Sequence, residues 1–318
     1  MMVLLLLRAR LLMALLLLLP LLAAAAADLQ SCDSAAVRLS SGHRLPALGL
    51  GVWQTPRGGA TAAAVRWALA HGYRHIDTAK LYQNEDEVGE AVLGSAVPRS
   101  EVFVTSKLWV LDARCSAPSE CEAWALEQVD ASLARAGLEY FDLFLVHSPH
   151  QPFPGGRRAF WRGLEAAVAQ GKLRSIGVSN WGIAHLRELL DSDETVVAPA
   201  VNQLELHPWL QQRQLVTFCK ERGLVIEAYS PLARGQKLGG ASPELSGIAT
   251  RLGRSEAQVL IRWSLQHGFV TLPKSESESR IASNAGVFGW ELGAEAMATL
   301  DALDEGLVTV WNPQDTEL

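Results

Sequence analysis

Apolar positions along this chain follow two rhythms, and the rhythms alternate. Short apolar runs bounded by turn residues lie at Leu48–Val52, His75–Asp77, Val102–Ser106, Leu143–His147, Ile176–Ser179, Ala200–Leu204, Val225–Tyr229 and Val270–Leu272. Between them stand stretches with the 3.6-residue period of amphipathic helices. These are Thr61–His71, an acidic one from about Glu85, Ala123–Ala136, Phe160–Gln170, Ala184–Leu190, Gln211–Arg222 and Ser255–His267. Strands alternating with helices predict an α/β fold with a parallel sheet and crossover helices. Eight repeats favour closure into a (β/α)8 TIM barrel over an open sheet, and roughly 250 residues suffice for one. Ahead of the first strand, Val37–Leu39 and Arg44–Leu48 flank Ser40-Ser41-Gly42-His43, which predicts an N-terminal β-hairpin.

The first residues form a separate object. Arg8 and Arg10 precede a nearly unbroken apolar run, Leu11–Ala27, which ends in small residues, and no acidic residue precedes Asp28. That pattern reads as a secretory signal peptide or an uncleaved signal-anchor. It divides the chain into residues 1–27 and a barrel domain over residues 28–318. It also predicts the secretory pathway, either the endoplasmic reticulum lumen or secretion, with membrane-anchored or organellar destinations as alternatives. Membrane contact is expected only if the N-terminal segment stays attached.

Composition is that of an ordinary folded domain, with 49% hydrophobic and 19% charged residues. Net charge is −6 and neither sign forms long blocks, so no basic surface for nucleic acid is expected. A monomer is expected. Four cysteines are too few for a disulfide framework. Cys115 and Cys121 flank a proline-containing loop, and either a bridge in an oxidising compartment or two free thiols fits them. Their spacing matches no zinc pattern, and no metal is expected.

The candidate chemistry gathers at strand ends. Asp77 closes the strand Arg74-His75-Ile76-Asp77, and Tyr82 lies in the loop beyond it. Two further strands end in an ionisable group: Val104-Thr105-Ser106-Lys107 and Phe144-Leu145-Val146-His147. In an α/β barrel the carboxyl ends of the strands build the active site. No GxGxxG follows the first strand. Gly49-Leu50-Gly51 continues into Val-Trp instead of opening a helix, so it is read as barrel strand and not as a dinucleotide fingerprint.

These motifs are similar to those of the aldo-keto reductase family. The resemblance starts in Gly72-Tyr73-Arg74-His75-Ile76-Asp77-Thr78-Ala79 with Tyr82, Glu85, Val88 and Gly89. It continues through Thr105-Ser106-Lys107-Leu108-Trp109, Leu145-Val146-His147-Ser148-Pro149, Ile176-Gly177-Val178-Ser179-Asn180, Val201-Asn202-Gln203, Ala228-Tyr229-Ser230-Pro231-Leu232 and Leu272-Pro273-Lys274-Ser275. The short Gly- and Arg-containing segments after Pro149 and Leu232 place it nearest the short-loop microbial and plant-like branches, with an open, permissive site.

The resemblance implies NADPH-dependent reduction of a small-molecule aldehyde or ketone. Tyr82 would be the general acid, Lys107 would lower the phenol pKa from about 10, Asp77 would pair with Lys107, and His147 would bind the substrate oxygen. NADP(H) would lie across the barrel mouth, with Ser179, Asn180 and Gln203 on the nicotinamide carboxamide and Tyr229 stacked on its ring. Ser230 and Leu232 would line its path. Lys274, Ser275 and Arg280 would hold the 2′-phosphate, and Asn284 the adenine. Trp53 and Trp109 match substrate-pocket positions. The family's hairpin plugs the base of the barrel. Two departures stand out: Ser283 where many members carry a Glu near adenine, and Ser148 where the aldose-reductase branch carries Trp. The other function class weighed is a non-catalytic NADP-binding barrel acting as a regulatory or scaffolding subunit. The complete Asp77, Tyr82, Lys107 and His147 set argues against it.

Overall fold

Eight parallel strands run in sequence order around a barrel in a computed structural model that describes residues 35–312. The proposed signal segment lies outside the described residues. The hairpin strands are β1 (Ala36–Arg38) and β2 (Arg44–Pro46), paired antiparallel. The barrel strands are β3 (Leu50–Gly51), β4 (His75–Asp77), β5 (Phe103–Leu108), β6 (Leu143–Val146), β7 (Ile176–Ser179), β8 (Val201–Glu205), β9 (Val225–Tyr229) and β10 (Val270–Leu272). Each pairs in parallel with the next. Closure comes from a bridge between Leu48 and Thr271, with Thr271 N donating to Ala47 O at 2.8 Å and Gly51 N to Pro273 O at 3.1 Å.

Side chains alternate along each strand, so one set faces the helices and the other the barrel interior. The inner set changes character with height. At the amino ends Phe103, Leu143, Leu145, Val201 and Val270 form an apolar layer, and Leu39 and Leu45 of the hairpin pack onto it from below. Two and four residues further along the strands, the inward positions become His75, Asp77, Thr105, Lys107, Gln203 and Glu227, all buried. The plugged, apolar base excludes water from beneath this polar layer. Its groups must therefore satisfy one another or face the open top.

The helices are α1 (Ala60–Ala70), α2 (Glu85–Leu93), α3 (Pro118–Ala136), α4 (Gly156–Ala169), α5 (Ile183–Leu190), α6 (Arg213–Glu221), α7 (Pro243–Leu252), α8 (Glu256–Gln266), α9 (Glu278–Ala285) and α10 (Ala294–Asp301). The acidic start of α2 has a use in the fold. Glu87 accepts from Gly58 N at 2.8 Å and Gly59 N at 3.1 Å, satisfying donors at the start of α1. Glu85 accepts from Ser106 Oγ at 2.5 Å and Arg135 Nε at 2.7 Å, tying α2 to β5 and α3. Two motif glycines are steric necessities. A Cβ on Gly89 would lie 1.7 Å from Ala136 O, and one on Gly49 would strike the His75 ring at 2.6 Å. Cys115 and Cys121 are joined by a disulfide that closes the loop between β5 and α3.

Candidate active site

Asp77 sits at the end of β4, and the chain then turns through a short 3-10 segment, Lys80–Tyr82. Asn84 fixes this loop from inside. Thr78 Oγ1 donates to its Oδ1 at 2.7 Å, and its Nδ2 donates to Val52 O at 3.0 Å. Lys80 fixes it from outside through Asp112, 2.8 Å away. The loop delivers Tyr82 back over the barrel. Lys107 Nζ then donates to Asp77 Oδ1 at 2.6 Å, to Thr78 O at 3.0 Å and to Tyr82 OH at 3.2 Å. The His147 ring follows β6 directly and stands edge-on to Tyr82 and to Trp109, with centroids 5.6 and 5.2 Å away. The structure thus brings Asp77, Tyr82, Lys107 and His147 together at the carboxyl face.

Electrostatics correct one expectation. Burial pushes the Tyr82 phenol up to about 12, and the Lys107 ammonium offsets only part of that rise. Lys107 does not deliver a phenol of lowered pKa here, because removing the phenolate from water outweighs the attraction of a cation already paired with Asp77. Burial works against the Lys107 charge, but Asp77 and Tyr82 more than restore it, and the amine is held above its ordinary range. Burial and Lys107 together hold His147 well below the usual histidine range, so its ring is neutral near pH 7. The set therefore presents a protonated phenol, an ammonium and a neutral imidazole.

A cavity of about 740 Å³ opens above these groups and runs along the barrel rim from Trp109 to Asn284. Ser179, Asn180, Gln203, Tyr229, Ser230, Leu232, Lys274, Ser275, Arg280 and Asn284 all line it, as do Trp53, Trp109 and His147. At its deep end Tyr229 OH donates to Asn180 Oδ1 at 2.9 Å, and Asn180 Nδ2 donates to His147 O at 3.2 Å. At its far end Arg280 Nε donates to Ser275 Oγ at 3.3 Å, and Arg280 has no carboxylate partner among the described residues. An uncompensated guanidinium beside a hydroxyl fits an anionic group. Lys274 differs from expectation, since its ammonium contacts Glu276, another cavity residue. Of the two cations expected at the 2′-phosphate, Lys274 is ion-paired and Arg280 has no carboxylate partner among the described residues.

Several lining residues escaped the motif reading. Trp311 stacks on His150 at 5.4 Å and lies 6.1 Å from Trp109, so it adds an aromatic ring to the wall beside His147. Buried Glu205 holds the segment that carries it, accepting from Thr309 N at 3.0 Å, Thr309 Oγ1 and Val310 N at 3.3 Å. Arg234 donates to Gln54 Oε1 at 3.0 Å and lies over Trp53, bridging the loops after β9 and β3. At Ser283 the adenine-side Glu is absent. The Ser283 carbonyl accepts from Gln258 Nε2 at 2.9 Å, and Gln258 caps α8.

The pattern of the Aldo/keto reductase family matches residues 47–305. The chain belongs to the aldo/keto reductase family. It is 43% identical to a 9,11-endoperoxide prostaglandin H2 reductase of Trypanosoma cruzi, over 86% of this chain and 93% of that protein. It is 42% identical to a glyoxal reductase of Bacillus subtilis, over 88% and 96%. Among solved structures, an aldo-keto reductase from a Medee basin deep-sea metagenome library superposes with a TM-score of 0.80 at 33% identity, covering 89% of this chain and all of that one. An aldo/keto reductase of Brucella melitensis gives 0.77 at 38% identity. Within the aldo/keto reductase frame, the Asp77, Tyr82, Lys107 and His147 cluster stands at the mouth-side end of the barrel, where this fold places its chemistry.

Proposed function

We propose that this protein is an NADPH-dependent carbonyl reductase in which Tyr82 donates the proton to the forming alcohol. The observation that carries the reading is the position of Lys107 Nζ, bonded at once to Asp77 and to Tyr82 OH at the end of a cavity that reaches Arg280. When bound, the nicotinamide supplies the electron pair to the carbonyl carbon as hydride. The chain's own residues do the rest. Tyr82 OH and neutral His147 hydrogen-bond the carbonyl oxygen, and the Tyr82 proton passes to it as negative charge develops. The Lys107 ammonium, fixed by Asp77, then stabilises the phenolate until solvent returns a proton. A phenol resting near pKa 12 stays protonated and ready at neutral pH, and the ammonium acts when charge appears on it.

Ser179, Asn180, Gln203 and Tyr229 would hold the nicotinamide end, and Ser275, Arg280 and Asn284 the adenosine end. Trp53, Leu81, Trp109 and Trp311 give the substrate side an apolar, aromatic wall, which suits aldehydes and ketones carrying apolar substituents. The named relatives, a glyoxal reductase and a prostaglandin H2 reductase, support reductive chemistry of this broad kind. Purified protein incubated with NADPH and a panel of carbonyl compounds, followed by NADPH absorbance, tests the reading. Turnover of one or more carbonyls supports it, and none across the panel overturns it.

A further inference from the structure

Beneath the catalytic groups lies a second buried carboxyl to which the reaction gives no role. Glu227, in the middle of β9, is fully buried. It faces Gln203 across the β8–β9 ladder, and Gln203 Nε2 donates to Glu227 Oε2 at 2.5 Å and to Asp77 Oδ2 at 2.8 Å. An amide nitrogen carries two hydrogens, so these two bonds use both. Gln203 also lines the cavity, and its side-chain oxygen is the amide atom that these bonds leave unused. The other carboxyl oxygen, Glu227 Oε1, makes no hydrogen bond and stands 3.5 Å from His75 Nε2.

The titratable groups around Glu227 decide its charge. His75 and Asp77 face it from β4, Lys107 from β5, and Tyr82 from the loop above, while its paired position on β10 is apolar Val270. One buried cation, Lys107, can neutralise one anion. Asp77 takes that place, because it accepts from both Lys107 and Gln203, whereas Glu227 has only a neutral amide as donor. Burial and the Asp77 charge push Glu227 up to about 8, and burial with Lys107 lowers His75 to about 3. His75 is therefore a neutral neighbour. The bare Oε1 beside it is where a carboxyl proton can sit.

We propose that Glu227 is a positioning residue of the active site. Carrying a proton on its inner oxygen, it clamps the Gln203 amide between itself and Asp77, so that Gln203 offers the cofactor's carboxamide a fixed carbonyl acceptor. This rests on the functional reading above. Glu227→Gln keeps an acceptor for Gln203 and mimics the protonated acid, while Glu227→Leu keeps similar bulk and removes the acceptor. In a fluorescence titration at pH 7, Glu227→Gln should bind NADPH like wild type. Glu227→Leu should bind it about threefold to tenfold more weakly, the loss of one net hydrogen bond.

Thermal unfolding of the cofactor-free protein from pH 5 to pH 9 tests the proton. A carboxyl whose folded pKa exceeds its unfolded value contributes most below the unfolded value, about 4.3, and that contribution is lost as pH rises through the folded value. Wild type should therefore lose several degrees more in Tm over that range than Glu227→Gln. Parallel Tm curves for these two proteins, or wild-type NADPH affinity in Glu227→Leu, overturns the proposal. Should the Leu variant not fold, the Gln comparison alone decides it. A wild type that binds NADPH but reduces no carbonyl would overturn the catalytic reading while leaving both comparisons in force. One that binds no NADPH overturns both.

Discussion

Lys107 shows at the residue scale how stability and chemistry share one contact. It is wholly buried, and Asp77 is its only ion-pair partner among the described residues. Lys107→Met leaves that carboxylate buried and unpaired, which costs about 3–5 kcal/mol of stability. The expected result is a folded but much less stable protein with turnover reduced by orders of magnitude; urea unfolding and a steady-state assay check it. At the other end of the cavity, Arg280 has no carboxylate partner among the described residues, while Lys274 is paired with Glu276. Hydrogen bonds to charged groups contribute about 1.5–3 kcal/mol, so Arg280→Ala should weaken NADPH binding roughly tenfold or more and NADH binding little. Glu276→Val should do the reverse, releasing Lys274 and widening the preference for NADPH. Paired fluorescence titrations decide this, and equal effects on the two cofactors would remove both residues from phosphate recognition.

The elements differ in how plainly the chain announces them. Strand β6, Leu-Phe-Leu-Val, is buried on both faces and stands out as an apolar run, whereas β5, equally buried, carries Thr105, Ser106 and Lys107 inside it. Helices α7, α9 and α10 do not: they are ten residues or fewer, and each buries three side chains at most against the barrel. The candidate site divides the same way. Asp77, Tyr82, Lys107 and His147 sit in local motifs at strand ends and could be read directly. Glu227 lies inside Val-Ile-Glu-Ala-Tyr, where only the fold reveals that it faces Asp77 and not solvent. Trp311 joins Trp109 across 202 positions of sequence by a contact no local pattern encodes. The segment bearing Trp311 hangs on Glu205, whose carboxyl stays below its usual range because donors from His207 and Thr309 outweigh its burial. Glu205→Ala should free that segment and raise KM for the carbonyl severalfold, with a smaller change in NADPH affinity. An unchanged KM would show that Trp311 keeps its place without Glu205.

On the scale of the whole molecule, the barrel works as a graded container. The hairpin and the apolar layer close its base, the polar layer above rests on apolar side chains, and Lys107, Asp77 and Glu227 there are tied together through direct and Gln203-bridged hydrogen bonds. That arrangement explains why Tyr82 departs from the sequence reading. The motif told which residues meet, but the balance between burial and the nearby ammonium depends on how tightly the barrel closes around them. The result is a phenol held protonated, poised beside a cation. The measurement that tests this account most directly compares wild type with Tyr82→Phe, which removes the proton donor and keeps the ring. NADPH oxidation with an accepted carbonyl should fall by about 10²–10⁴ in kcat, the usual share of general acid catalysis, while the Kd for NADPH stays near wild type. Tyr82→Phe turning over at the wild-type rate would contradict the account.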